Sequence, residues 1–236
     1  MDGPRWAFRF KLLFRFSTGC FPQAQQTVTA EWNAMAAGWE SSDVRATNEE
    51  SLALLEHVLR DLDRPLQPMR VLDFGCGTGV LVELLQPRCE SVLGLDAAPM
   101  MVAHLQDKIA RRGWPNVEAC CAVLGSDDHP PPAGLRDCVD LIVASTVLQW
   151  IPSVERTLAA LCTLLKPEGL LVHFEWPSPR KNYRAGFNEA SARALYQAAG
   201  LEAVSMQHRG SFFIGVARAA RVARTAGAEQ HHEVET

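Results

Sequence analysis

The chain has 236 residues, of which 47% are hydrophobic, enough for one α/β domain with a sizeable core and too few for a second large one. A net charge of −4 offers no basic face, which argues against nucleic acid as a partner. Seven cysteines, odd in number and without a C-x-x-C pair, suggest neither a disulfide framework nor a zinc site and fit a reducing, cytoplasmic compartment.

Residues 1–22 place Arg5, Arg9, Lys11 and Arg15 among Trp6, Phe8, Phe10, Phe14 and Phe16, with Asp2 the only acid before Glu31. Such a start reads as a mitochondrial transit peptide, a membrane-surface anchor, or an extension without a fold of its own. No run approaches the ~18 apolar residues of a membrane helix, so a soluble protein is expected. Residues 23–66 are expected to form N-terminal helices or a lid. Trp32, Met35, Gly38 and Trp39 fall in a first short helix, and Thr47 with Glu50 reads as a capping box ahead of Leu52, Leu55, Leu59 and Leu62.

The core is expected over residues 67–218. Residues 70–74 form an apolar strand that breaks into Gly75, Gly77 and Gly79, and a helix follows over 78–85 until Pro87 stops it. A second strand over 91–95 ends at Asp96, and Pro99 opens a helix that Gly113 closes. A third strand spans 116–123, with Cys120 and Cys121 as core residues, and a proline-rich acidic loop covers 125–136. Residues 140–145 are the most apolar strand, the kind covered on both faces. Ser153 caps a helix bearing Val154, Leu158, Leu161 and Leu165, which residues 166–169 terminate. A fifth strand over 170–176, a polar loop, a helix from Asn188 to Gly200 and two strands over 201–206 and 211–217 complete the domain. Residues 219–236 read as a disordered tail. Strands alternating with helices predict a parallel sheet whose ligand sits at the carboxyl ends of the strands.

The glycine loop discriminates between nucleotides. A dinucleotide fingerprint needs glycine at the first, third and sixth positions, and the sixth here is Val80. Asp73, two residues ahead of Gly75, would repel a pyrophosphate and tolerate a cation. No G-K-[ST] follows, so phosphate-loop chemistry is also disfavoured.

Residues 71–79, Val-Leu-Asp-Phe-Gly-Cys-Gly-Thr-Gly, resemble the cofactor loop of class I, seven-stranded S-adenosylmethionine-dependent methyltransferases. Residues 93–101 resemble the second-strand segment of that family, residues 140–150 its fourth strand and following turn, and residues 164–172 the helix-to-strand joint of its type 11 small-molecule branch. The resemblance implies a Rossmann-like three-layer α/β sandwich whose mostly parallel seven-stranded sheet carries a C-terminal antiparallel strand. It implies S-adenosylmethionine held by Asp73, Gly75, Gly77, Gly79, Asp96, Ala97, Met101, Asp127, Ser145 and Leu148, with Asp96 on the ribose hydroxyls and Asp127 toward the adenine. Trp32, Trp39 and Trp150 are expected to cap the acceptor pocket. Glu175, His173 and Gln149 are the polar candidates for catalysis, although relatives often carry histidine where this chain has Gln149. No spacing suggests a metal. The expected activity is in-line methyl transfer to an O, N or C atom of a small molecule, by a monomer or homodimer. The alternatives are a non-catalytic assembly protein of the same fold, or a protein or RNA methyltransferase.

Overall fold

The computed structural model describes residues 23–125, 137–176 and 187–220. Residues 1–22, Asp127 with its loop, and the C-terminal tail lie outside them.

Two helices precede the sheet. Helix α1, Gln23–Met35, runs into a 3-10 turn, Ala36–Gly38, and helix α2 spans Ser42–Asp61. The side chain of Ser41 accepts the Val44 N–H at 3.3 Å, so α2 begins earlier than the Thr47–Glu50 pattern implied. Thr47 is instead inside the helix and returns its hydroxyl to the Asp43 carbonyl, while Glu50 accepts the Ser211 N–H at 2.8 Å. The tighter N-cap won because Ser41 has an extended backbone and a free hydroxyl where four orphan amides need acceptors.

The remaining elements are β1 Arg70–Phe74, α3 Val80–Leu85, β2 Ser91–Asp96, α4 Pro99–Arg112, β3 Val117–Cys121, β4 Val139–Ser145, α5 Val154–Cys162, β5 Leu165–Glu175, α6 Glu189–Ala198, β6 Leu201–Arg209 and β7 Phe212–Ala219. Proline at the first position and left-handed Gly113 at the end bound α4 as its sequence dictates. Asn188 and Ser191 form a reciprocal capping box at the start of α6. Helix α5 stops at Cys162 rather than at residues 166–169, because Leu165 already pairs with Val139.

The strands form one seven-stranded sheet in the order β3-β2-β1-β4-β5-β7-β6. β7 runs antiparallel to both neighbours and the other pairings are parallel. Leu141 to Ala144 of β4 are fully buried, as their apolar run requires of a strand covered on both sides. One face packs on α2, α3 and α4 through Leu55, Leu59, Leu85 and Leu105, and the other packs on α5 and α6 through Leu158, Leu161 and Tyr196. The chain is therefore a three-layer α/β sandwich. Strand order reverses between β1 and β4, and the glycine loop and the β4 turn face each other across that point. No helix among the described residues is long and apolar enough to cross a membrane.

Packing is tightest where β5, β7 and α6 meet. His173 and Tyr196 converge over Gly215, where a Cβ would overlap both side chains. Gly215→Ala is expected to cost about 1–3 kcal/mol through overpacking, read as a lowered midpoint in chemical denaturation.

Candidate active site

Strand β1 ends in a loop that needs glycine. Gly75, Gly77 and Gly79 have φ values of 77°, 52° and 85°, the left-handed region that side chains avoid. A Cβ on Gly75 would overlap Val147, and one on Gly79 would overlap Leu105 of α4. At Gly77 a Cβ would stand 3.3 Å from the indole nitrogen of Trp39. Gly75 and Gly77 thus form bare backbone on the wall of a cavity of about 630 Å³, whereas Gly79 lets α4 close on the loop.

Asp96, at the tip of β2, faces the same cavity. Its Oδ2 accepts the Gly77 N–H at 2.9 Å and its Oδ1 the Ala98 N–H at 2.8 Å. Burial pushes its pKa up, and the amides of Ala98, Gly77 and Ala97 pull against that shift. Each oxygen keeps lone-pair capacity for a further donor, so the half-buried carboxylate suits a vicinal diol.

Asp73 is 2% exposed, and its Oδ2 has no hydrogen-bond partner. Burial first, then the charge of Asp96, push its pKa up to about 8. A cationic group beside it would restore ionisation and satisfy the orphan oxygen. Cys76 lines the cavity between the first two glycines, with its thiol directed to the Gly77 carbonyl. Burial, Asp96 and Asp73 hold that thiol well above its ordinary pKa.

Part of the cavity wall is aromatic. Trp32 of α1 meets Trp39 edge-on at 5.0 Å and Trp150 edge-on at 5.1 Å. Ala36, Ala98 and Met101 pack beneath Trp32 and Trp39. Two polar contacts tie this segment to α4. The Asn33 side chain accepts the Met100 N–H at 2.9 Å, capping a helix whose own N-cap is Ala98, and Glu40 pairs with Lys108 at 2.7 Å.

Ser145, Gln149 and Trp150 line the cavity from β4 and the 3-10 turn Leu148–Trp150. Ser145 shares a hydrogen bond with Ser51 at 3.0 Å. Leu148 is fully buried and belongs to the core beneath that turn rather than to the wall. Ala97 and Met101 line the cavity beside Asp96.

His173 and Glu175 do not line it. Alternation along β5 sends both into the α6 side of the sheet, where both are fully buried. His173 Nε2 hydrogen-bonds the Tyr196 hydroxyl among Phe187 and Phe213, and burial pushes its pKa down to about 3. Glu175 accepts the Leu148 N–H at 2.9 Å, and burial raises its pKa to about 8 against the pull of the Leu148, Gln149 and Val147 amides.

Asp43, Val44 and Asn48 of α2 and Trp176 also line the cavity, as does Thr47, which the sequence marks only as a cap. Polar residues at helical spacing just before the apolar stripe of α2 were the available signal, and the capping-box reading had absorbed them.

Asp73 and Glu175 hold protons more tightly folded than unfolded, from ordinary values of 3.8 and 4.5 to about 8. The stability this contributes is full below the unfolded values and is lost as pH rises through about 8. Each pH unit between those values, where the unfolded acid is ionised and the folded one still protonated, costs about 1.4 kcal/mol. The ligand-free protein should therefore melt at lower temperature at about pH 9 than at about pH 6. Asp73→Asn and Glu175→Gln should each flatten that slope in thermal scans across pH.

Residues 46–228 match the methyltransferase domain family. A trans-aconitate 2-methyltransferase of Methylobacterium nodulans is 37% identical over 140 residues, covering 56% of this chain and 50% of the relative. A malonyl-[acyl-carrier protein] O-methyltransferase of Acetivibrio thermocellus is 28% identical, covering 52% of this chain and 45% of the relative. The chain thus spans about half the length of these curated relatives. Among solved structures, the magnesium protoporphyrin IX methyltransferase of Synechocystis with bound S-adenosylmethionine superposes with a TM-score of 0.65 at 18% identity, covering 86% of this chain and all of that one. The glycine loop, the amide-held Asp96 and the Asp73 Oδ2 without a partner are the features of this site that a cationic nucleoside would meet. The chain belongs to the methyltransferase domain family, in its class I, S-adenosylmethionine-dependent form.

Proposed function

We propose that this protein transfers a methyl group from S-adenosylmethionine to a small-molecule acceptor. The observation that carries the reading is a single cavity lined both by the glycine loop, Asp96 and Ala97 and by Trp32, Gln149 and Trp150. Its volume of about 630 Å³ lies within the roughly 300–1,000 Å³ of small-molecule sites.

When bound, the cofactor supplies a methyl group already activated on a sulfonium, open to in-line displacement. The chain's task is to hold the two reactants in line and keep water out. Gly75 and Gly77 would give close backbone contact, Asp96 would receive the ribose hydroxyls, and Asp73, buried beside the loop rather than on the cavity wall, would offset the ammonium charge. Ala97 and Met101 flank the adenine, and Ser145 borders the methionine portion while Leu148 supports its turn from behind. The three tryptophans exclude water, and Gln149 with Trp150 orients the acceptor.

Neither histidine nor glutamate occurs among the described residues of the cavity wall, where the acids are Asp43 and Asp96. An acceptor that is already ionised at neutral pH, such as a carboxylic acid, needs no base. The names of the relatives, for trans-aconitate and malonyl-[acyl-carrier protein], favour that class. The six cysteines of the described residues are free thiols, in keeping with a reducing compartment.

Calorimetric titration with S-adenosylhomocysteine should give saturable binding that Asp96→Ala weakens about 10- to 100-fold, the loss of two hydrogen bonds to a charged acceptor. Folded wild-type protein that fails to bind overturns the reading. Incubation with S-adenosylmethionine and trans-aconitate, then with a metabolite extract, should yield a product heavier by one methylene, at a rate that changes little between about pH 6 and pH 9.

A further inference from the structure

The turn that follows β4 adopts a backbone that its own sequence disfavours. Thr146 takes a φ of 55°, a left-handed conformation that is costly for a β-branched residue. The chain then tightens into the 3-10 turn Leu148–Trp150, whose leading amides have no partner within so short an element. Both needs are met by the last two residues of β5. The Phe174 carbonyl accepts the Thr146 N–H at 2.7 Å, and Glu175 Oε1 accepts the Leu148 N–H at 2.9 Å. The amides of Val147 and Gln149 also bear on the Glu175 carboxyl.

Stability alone does not account for a carboxyl at this position. Glu175 is fully buried, and its Oε2 has no hydrogen-bond partner. Burying an acid with one oxygen unsatisfied costs more than a neutral or apolar side chain of similar size would. What the carboxyl does provide is a fixed, strongly accepting point under a turn whose exposed side is the cavity wall. Gln149 and Trp150 project from that turn, and Trp150 meets Trp32 edge-on. Val147, whose amide also bears on Glu175, packs in addition against Gly75.

Resting on the reading of Gln149 and Trp150 as the acceptor side, we propose that Glu175 is a positioning residue for the methyl acceptor. It does not touch the acceptor. It locks the turn Leu148–Trp150 in the one arrangement that aims Gln149 and Trp150 into the cavity, and so sets where the nucleophile stands relative to the cofactor. Asp96 and the Gly77 amide hold each other through a contact of their own, so losing Glu175 should disturb the acceptor side more than cofactor affinity.

The test compares wild-type protein, Glu175→Gln and Glu175→Ala as ¹⁵N-labelled full-length chains. In Glu175→Ala, the amide resonances of Leu148 and Gln149 and the indole resonance of Trp150 should shift and broaden, while the Trp39 indole stays in place. Affinity for S-adenosylhomocysteine should change less than about threefold, and KM for trans-aconitate, where it is turned over, should rise about tenfold or more. Glu175→Gln keeps an oxygen for the Leu148 N–H and should return the turn resonances toward the wild-type positions. Unchanged turn resonances in folded Glu175→Ala would sink the proposal. So would Trp39 resonances and cofactor affinity disturbed as strongly as the turn, in either variant, since that is the signature of a general structural role. If Glu175→Ala does not fold, Glu175→Gln decides: a turn restored beside an intact cofactor side supports the role, and a turn displaced despite the retained oxygen overturns it. The resonances report whether or not trans-aconitate is methylated, so failure here is distinct from failure of the proposed function.

Discussion

Two backbone N–H groups, from Gly77 and Ala98, converge on the carboxylate of Asp96, and through them one side chain joins the loops of adjacent strands. The glycine loop after β1 and the start of α4 after β2 are each irregular, and neither has a side chain of its own to satisfy its amides. Asp96 supplies both. The loop can then stay open to a ligand without collapsing onto the sheet, and α4 begins where Met101 and Ala98 can carry the tryptophans of α1. The cavity, its glycine wall and its aromatic wall all depend on that bridge.

Three acids occupy the strand tips around the site, and their surroundings give them different work. Asp96 is half-buried and doubly held by amides, which leaves it able to receive more donors. Asp73 is enclosed with an empty oxygen beside Asp96, so the pair of carboxyls raises the local demand for positive charge. Glu175 is enclosed beneath a turn and speaks only to backbone. Depth and the number of amides within reach thus set the same functional group in three different environments.

Much of the fold was legible because its signals were local. The limits of β1, β2 and α4 follow from Asp73, the glycines, Pro99 and Gly113, each of which acts within a few residues. The start of α2 was misread because two caps competed, and the choice between Ser41 and Thr47 depends on a backbone conformation that composition does not encode. Gly77, Asp96, Trp32 and Trp150 all line the cavity, although they come from four separate stretches of sequence. The locations of His173 and Glu175 did not follow from their sequence, since alternation says that they share a face but not which face. That is fixed by the packing of α6, through Tyr196, against β5 and β7. Asp43 and Asn48 of α2 line the cavity through tertiary packing, which their helical spacing hints at but does not specify.

Cys76 stands in the wall of a pocket shaped for an alkylating cofactor, and a thiolate there would be the strongest nucleophile near the sulfonium. The environment keeps it protonated: burial removes the water that would stabilise the anion, and the negative charges of Asp96 and Asp73 oppose a third. The same two carboxyls that raise the local demand for positive charge therefore also keep this thiol from becoming a nucleophile.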